Sequence, residues 1–241
     1  MNPVLMQMQP RVIPEVIATV EQNITIPRVR FRAFTERQVV HEMNVFVRQT
    51  NYSHYIVCSD DALLYRRAFE NIIENAPNYD CYTGWCNMEM YGKQLSPHSN
   101  VCFQPLILMD EYKPTPDDYP PWEPVDKVLS ETENFKTSIA SFAMSCFTRD
   151  LLLKYPLMVW ENGKSSDHHI SYRFWKAGIE VWSNRNAFVR HLRQGSGIHL
   201  GNTKSWLVGK EKPKIIYELE PEQYEYDGER QYEYEPLFIR K

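Results

Sequence analysis

Two adjacent carboxylates, Asp60 and Asp61, stand at the end of the apolar run Tyr55-Ile56-Val57-Cys58. Carboxylates crowded together repel unless a cation lies between them. Oxygen donors of this kind suit Mg²⁺ or Mn²⁺, ions that commonly also hold substrate phosphates. A third acid, Asp167, opens a helical segment directly after Gly163-Lys164-Ser165-Ser166, and His191 falls near the end of the apolar run 187–192. A carboxylate can act as a general base and an imidazole can serve as a metal ligand. Each group also has an ordinary use: Asp61 as a helix cap, Asp167 as a complement to a helix dipole, His191 as a hydrogen-bonded core residue.

The elements that must position these groups can be read from patterning. Tyr55–Cys58 reads as a buried strand, and Ala62–Asn75 as a helix with Leu63, Leu64, Ala68, Phe69, Ile72 and Ile73 on one stripe. The acidic pair then lies at the carboxyl end of a strand, where open α/β sheets bind ligands. Val16–Val20 reads as a central parallel strand, with Thr19, Val20 and Glu21 at its carboxyl end. Arg28–Phe34 alternates as a half-exposed strand carrying Arg28, Arg30 and Arg32 on one face. Glu36–Gln49 reads as a helix with Val39, Val40, Met43, Phe46 and Val47 inward.

Further along, Tyr79–Met88 reads as a strand interrupted at Gly84, and Val101–Met109 as a strand disturbed by Pro105. Pro114–Pro124 reads as a surface loop or flap, and Ile139–Phe147 as a strand with small residues. Thr148 caps a helix to Tyr155, closed by Pro156. Ser166 caps another, Asp167–Ala177, ended by Gly178. Ile179–Trp182 and Ala187–Leu192 read as short strands. This alternation predicts an α/β fold, a mainly parallel central sheet flanked by helices. The predicted organisation is an N-terminal arm (1–13), one domain (14–210) and an acidic, tyrosine-rich tail (211–241).

Composition narrows the function. The chain has 241 residues with a net charge of −4, which argues against a general nucleic-acid binder. Its five cysteines, Cys58, Cys81, Cys86, Cys102 and Cys146, form no CxxC pair and read as buried free thiols in a reducing, cytoplasmic setting. No stretch has membrane-spanning length. Residues 215–236 hold eight acidic residues and five tyrosines, which reads as a solvated tail or as a partner-binding arm.

The order of these features resembles glycosyltransferases of the GT-A fold over residues 14–195, including small archaeal-virus proteins of that fold. There an apolar strand ends in a DXD-type motif, a later acid opens a helix followed by glycine and a strand, and a late histidine completes the metal site in some members. The matching residues are Ser59-Asp60-Asp61, Ser166-Asp167 through Gly178-Ile179-Glu180-Val181-Trp182, and His191. Two positions depart: Ser59 replaces the first aspartate of the triplet, and Ser166 stands where relatives often carry a second acid.

The resemblance implies Mn²⁺ or Mg²⁺ on Asp61 and His191, with Asp60 beside the nucleotide diphosphate. Thr19, Val20 and Glu21 would meet the base or ribose. Arg37, or one of Arg28, Arg30 and Arg32, would reach the diphosphate. Asp167 would be the general base of an inverting transfer from a nucleotide-diphospho-sugar donor to a glycan or protein acceptor. Trp85 and Trp160 read equally as sugar-stacking surfaces or as core or loop packing.

Other readings remain open on sequence alone. Asp167-His168-His169 spells the DHH triplet of two-metal phosphoesterases, but it opens a helix and no glycine run follows. A nucleotidyltransferase would need a glycine-rich basic loop, and Glu21-Gln22-Asn23 has no glycine. A non-enzymatic interaction protein would use the acidic tail.

Overall fold

Val4, Leu5 and Met6 are completely buried, and they mark the middle of the molecule. The computed structural model describes residues 1–8, 13–32, 35–90, 94–104, 122–159 and 166–191. The chain order is β1 (Pro3–Met8), α1 (Pro14–Asn23), β2 (Arg28–Phe31), α2 (Glu36–Gln49), β3 (His54–Cys58), β4 (Ala62–Leu63), α3 (Arg66–Asn75), β5 (Cys81–Thr83), β6 (Asn87–Met90), β7 (Gln94–Ser99), α4 (Val125–Ser130), β8 (Phe135–Thr137), β9 (Ser145–Thr148), α5 (Arg149–Lys154), α6 (Ser166–Ala177), β10 (Val181–Ser183) and β11 (Arg190–His191). Seven strands form one sheet in the order β2-β1-β3-β9-β5-β10-β8. β1 runs parallel to β2 and β3, and β5 parallel to β10. β9 opposes both β3 and β5, and β8 opposes β10. Within this sheet all strands but β8 and β9 therefore share one direction.

Alternate residues of the strands enter two cores. Val4, Met6, Tyr55, Val57 and Phe147 pack with Val39, Val40 and Met43 of α2, Leu151 and Leu152 of α5, and Ile170 and Phe174 of α6. Leu5, Ile56, Cys58 and Cys146 pack on the other face with Val20 of α1 and Ala68, Phe69 and Ile72 of α3. A sheet covered on both faces makes its central strands uniformly apolar, without a polar side. All five cysteines are buried and unpaired with one another, in line with the sequence reading.

The helix at Glu36–Gln49 lies as predicted, with the Thr35 hydroxyl accepting from the Gln38 amide as its cap. Thr148 caps α5 and Gly178, with φ of 68°, follows α6, also as predicted. Several other expectations are corrected. Val16–Val20 is helical, not a strand: Pro14 presets the first turn, and Val16, Ile17, Thr19 and Val20 are spaced for one helix face. The strand lies upstream instead, so residues 3–8, read as part of an arm, pair on both sides within the sheet.

The helix expected from Ala62 begins at Arg66, because Ala62 and Leu63 pair antiparallel with His191 and Arg190. Of Ile139–Phe147 only the end is extended; 139–144 is a loop, with the Ala140 and Ser141 amides bonded to Ser171 and Thr83 of other segments. Tyr79–Met88 divides at Gly84 into β5 and the start of the β6–β7 hairpin. Val101–Gln104 is not extended into a strand, and 105–121, like the tail from 192 onward, lies outside the described residues. Among the described residues no helix is long and apolar enough to cross a membrane.

Gly84 explains the division. A Cβ there would lie 2.9 Å from the Ala187 carbonyl oxygen and 3.2 Å from both the Met144 carbonyl oxygen and Val189 Cγ2. Two of these three neighbours are backbone and cannot rotate away. Gly84→Ala should destabilise the fold by about 2 kcal/mol through overpacking. Urea denaturation checks this, and a midpoint equal to that of the unsubstituted protein would refute the close approach.

Candidate functional site

The β3 strand ends at Cys58, and the chain turns through Ser59, Asp60 and Asp61 into β4. Asp60 and Asp61 are only 4% and 6% exposed. A buried carboxylate is costly unless it is paired or hydrogen-bonded. Asp61 is paired: its Oδ1 lies 2.7 Å from Nε2 of His191. The β4–β11 pairing makes this contact, since it sets His191 directly against Ala62.

Burial alone would lower the His191 pKa. The charge and hydrogen bond of Asp61, with the adjacent Cys86 thiol, outweigh it and raise the pKa to about 10. Burial pushes the Cys58 thiol up, the Asp60 carboxylate adds to that rise, and Arg30 opposes it.

Because β9 runs against β3, the loop preceding β9 arrives at the same sheet edge as the acidic turn. The loop crosses that edge: Ala140 and Phe142 enter one core, Ala143 and Met144 the other. The Phe142 carbonyl accepts the Ser59 amide at 2.6 Å, and the Met144 carbonyl accepts the Gly84 amide at 2.6 Å. Thr83 Oγ1 accepts the Ser141 amide at 3.0 Å. On the α6 side, Ser171 Oγ accepts the Ala140 amide at 2.9 Å and donates to the Asp167 carbonyl at 2.5 Å.

The loop therefore ties the first turn of α6, with Asp167, to the acidic turn. Asp167 is half-buried, and its Oδ1 accepts the His168 amide at 2.8 Å. No hydrogen bond joins Asp167 to Asp61 or His191 among the described residues; the link between the two parts runs through the 139–144 loop, bonded to Ser171 on one side and to Ser59 on the other.

The remaining sequence candidates fall elsewhere. Thr19, Val20 and Glu21 lie in α1, not at a strand end. The Thr19 hydroxyl donates to the Val16 carbonyl at 3.0 Å and accepts from the Leu64 amide at 3.1 Å, and Val20 is fully buried. Glu21 pairs with Arg28 and Arg30, and Arg30 Nε also donates to Gln7 Oε1 at 3.2 Å. Arg37 is exposed in the first turn of α2.

Trp85 is a core residue rather than a sugar-stacking surface. It is 1% exposed, its Nε1 donates to the carbonyls of Asn184 and Arg185, and its ring meets Phe188 edge-on. Trp160 lies outside the described residues. Sequence reasoning missed Glu36 and Cys86 as neighbours of the site. Glu36 carried only the generic signal of an acid in a first helical turn, and Cys86 none.

Asp61 offers a carboxylate oxygen, which suits Mn²⁺ or Mg²⁺, and His191 a ring nitrogen, a common metal ligand, and here the two are hydrogen-bonded to each other. Among the described residues no cluster of three or more His, Cys, Asp or Glu gathers to hold a metal.

No family model and no curated protein matches the chain. Solved structures do. The chain is similar to GalNAc-T7 crystallised with UDP, GalNAc and Mn²⁺, at a TM-score of 0.52 and 10% identity over 81% of this chain, which spans only 44% of that one. It is also similar to A197 from STIV, at 0.48 and 13% identity over 83% of this chain and 99% of that one. A third is the mannosyltransferase PcManGT from Pyrobaculum calidifontis in complex with GDP-Man and Mn²⁺, at 0.48 and 11% identity over 92% and 69% of the two chains. The likeness to GalNAc-T7 defines the fold: a GT-A-like α/β domain.

The raised His191 pKa has a consequence for stability. An ordinary, unfolded histidine titrates near 6.5. The folded value lies above it, so the pair contributes fully below about pH 6.5 and its contribution is lost as pH climbs through about 10. With chelator present, Asp61→Asn should cost about 3 kcal/mol at pH 6, as for a broken buried pair, and progressively less toward pH 10. Urea melts of both proteins across that range would check this. A cost that does not change with pH would contradict the ion pair.

Proposed function

We propose that the protein is a metal-dependent glycosyltransferase that moves a sugar from a nucleotide-diphospho-sugar to an acceptor hydroxyl. The observation that carries this reading is the buried Asp61–His191 contact at the carboxyl end of β3 in a GT-A-like sheet; the 139–144 loop supports a place for Asp167 in the same site. GalNAc-T7, which shares the fold, was crystallised with UDP and Mn²⁺. Asp61 and His191 are the residues that would hold Mn²⁺ or Mg²⁺. When bound, the cation supplies positive charge beside a departing diphosphate, where negative charge develops in the transition state.

The chain's own residues have separate tasks in this reading. His191 lies in β11 and Asp61 in the turn directly before β4, and the β4–β11 pairing of Ala62 with His191 brings the two side chains together. His191 must release its shared proton to serve as a ligand, since only a free ring nitrogen lone pair binds a metal. Asp167, at the half-buried start of α6, accepts the proton of the acceptor hydroxyl. A base and a leaving group on opposite sides of the sugar give a single displacement with inversion. Asp60, its neighbour in the same turn, is assigned to the nucleotide diphosphate in this reading.

The reading separates binding from turnover. With Mn²⁺ present, calorimetry should detect binding of UDP or GDP, and Asp61→Ala should abolish it. Asp167→Asn should keep that affinity within about twofold while lowering turnover of the matching nucleotide-sugar by about 10²–10⁴, the usual contribution of a general base. Nucleotide binding of equal strength in excess chelator would refute the metal role. Full turnover by Asp167→Asn would refute the base.

A further inference from the structure

Helix α6 begins with a donor that it cannot satisfy itself. The first amides of any α-helix have no intrahelical acceptor. In α6 the first of these belongs to Ser166, which is 1% exposed. Its partner comes from a different helix, 130 residues away: Glu36 Oε1 accepts the Ser166 amide at 2.8 Å and the Ser166 hydroxyl at 2.5 Å. Glu36 is the first residue of α2, whose own cap is the preceding Thr35.

One carboxylate thus stands at the positive ends of two helices, an arrangement both helix dipoles favour. Its two bonds to one residue fix Ser166 in position and rotation. The residue after Ser166 is Asp167. Its carbonyl is held in turn by Ser171, which the Ala140 amide anchors to the crossing loop.

We infer that Glu36 is a positioning residue for the candidate base, holding the first turn of α6 through Ser166 so that Asp167 faces the sheet edge. This rests on the reading of Asp167 as general base. Glu36 touches neither Asp61 nor His191 by any bond described above, so its loss acts on the α6 half of the site and leaves the cation half intact. The amide oxygen of glutamine can accept the same two hydrogen bonds, whereas alanine accepts none. The placement therefore depends on an acceptor oxygen rather than on charge.

The test compares Glu36→Ala with Glu36→Gln in the full chain. Hydrogen exchange should show the Ser166 amide exchanging at least tenfold faster in Glu36→Ala and near the unsubstituted rate in Glu36→Gln. With Mn²⁺ and the nucleotide-sugar that the unsubstituted protein turns over, kcat should fall about 10- to 100-fold in Glu36→Ala. Glu36→Gln should recover it to within about threefold, and the affinity for nucleoside diphosphate should stay unchanged in both. Adding Glu36→Ala to Asp167→Asn should cause no further loss.

Unchanged Ser166 exchange in a folded Glu36→Ala protein overturns the inference. So does unchanged kcat in that protein while Asp167→Asn loses turnover, a result that leaves the transferase reading standing. Equal kcat losses in the alanine and glutamine variants overturn it by showing that charge matters instead. Full turnover by Asp167→Asn overturns the base reading and the positioning role with it, and the exchange result alone then reports the anchor.

Discussion

A buried carboxylate must be neutralised, and here that requirement joins two distant parts of the chain. Asp61 follows a strand whose every residue from Tyr55 to Cys58 is fully buried, and it has little access to water. Its partner, His191, arrives 130 residues later on a two-residue strand that pairs with the segment after Asp61. Breaking a buried pair of this kind by removing one partner costs several kcal/mol. The same proximity that stabilises the turn also presents two metal-type donors at one point.

The reversed strand β9 has a comparable architectural effect. In a wholly parallel sheet the connection before β9 would lie at the opposite edge. Reversal brings the loop 139–144 to the edge where β3 ends, and the loop carries hydrogen bonds to both sides of it. Asp167, rooted in the core beneath α2, α5 and α6, is thereby coupled to an acidic turn rooted near α1 and α3. In the proposed site the α6 half packs on one core and the acidic turn on the other.

The sequence made the local part of this legible. The helix Glu36–Gln49 has a threonine cap and four buried positions at helical spacing, and Gly178 follows α6 as read; Ser166, read as the cap of α6, is instead its first residue and its hydroxyl donates to Glu36. Local chemistry is enough for such elements. Val16–Val20 was not decided locally, because a five-residue apolar run suits a buried strand and a buried helix face equally. The Pro14 signal at its start favoured the helix. β1 was hidden by Pro3 and the polar Gln7, although Gln7 is completely buried and paired to Arg30.

The candidate site was legible as a set of residues and not as a geometry. Asp61, Asp167 and His191 stand out by type and order, but the contact between the first and last depends on pairing β4 with β11, two residues each, far too short to leave a periodic pattern. Trp85 looked like a surface platform only because its partners, the Asn184 and Arg185 carbonyls, lie about 100 residues away. Thr19 and Glu21 lost their assigned place when the supposed strand became a helix.

The decisive observation is the ligand shell of a bound ion. Pulsed electron paramagnetic resonance of the protein with Mn²⁺ and UDP or GDP reports directly whether a histidine nitrogen is coordinated. The expected spectrum carries nitrogen coupling from one imidazole, and this coupling vanishes in His191→Ala. A spectrum without nitrogen coupling, or one that His191→Ala leaves unaltered, would contradict a cation held between Asp61 and His191.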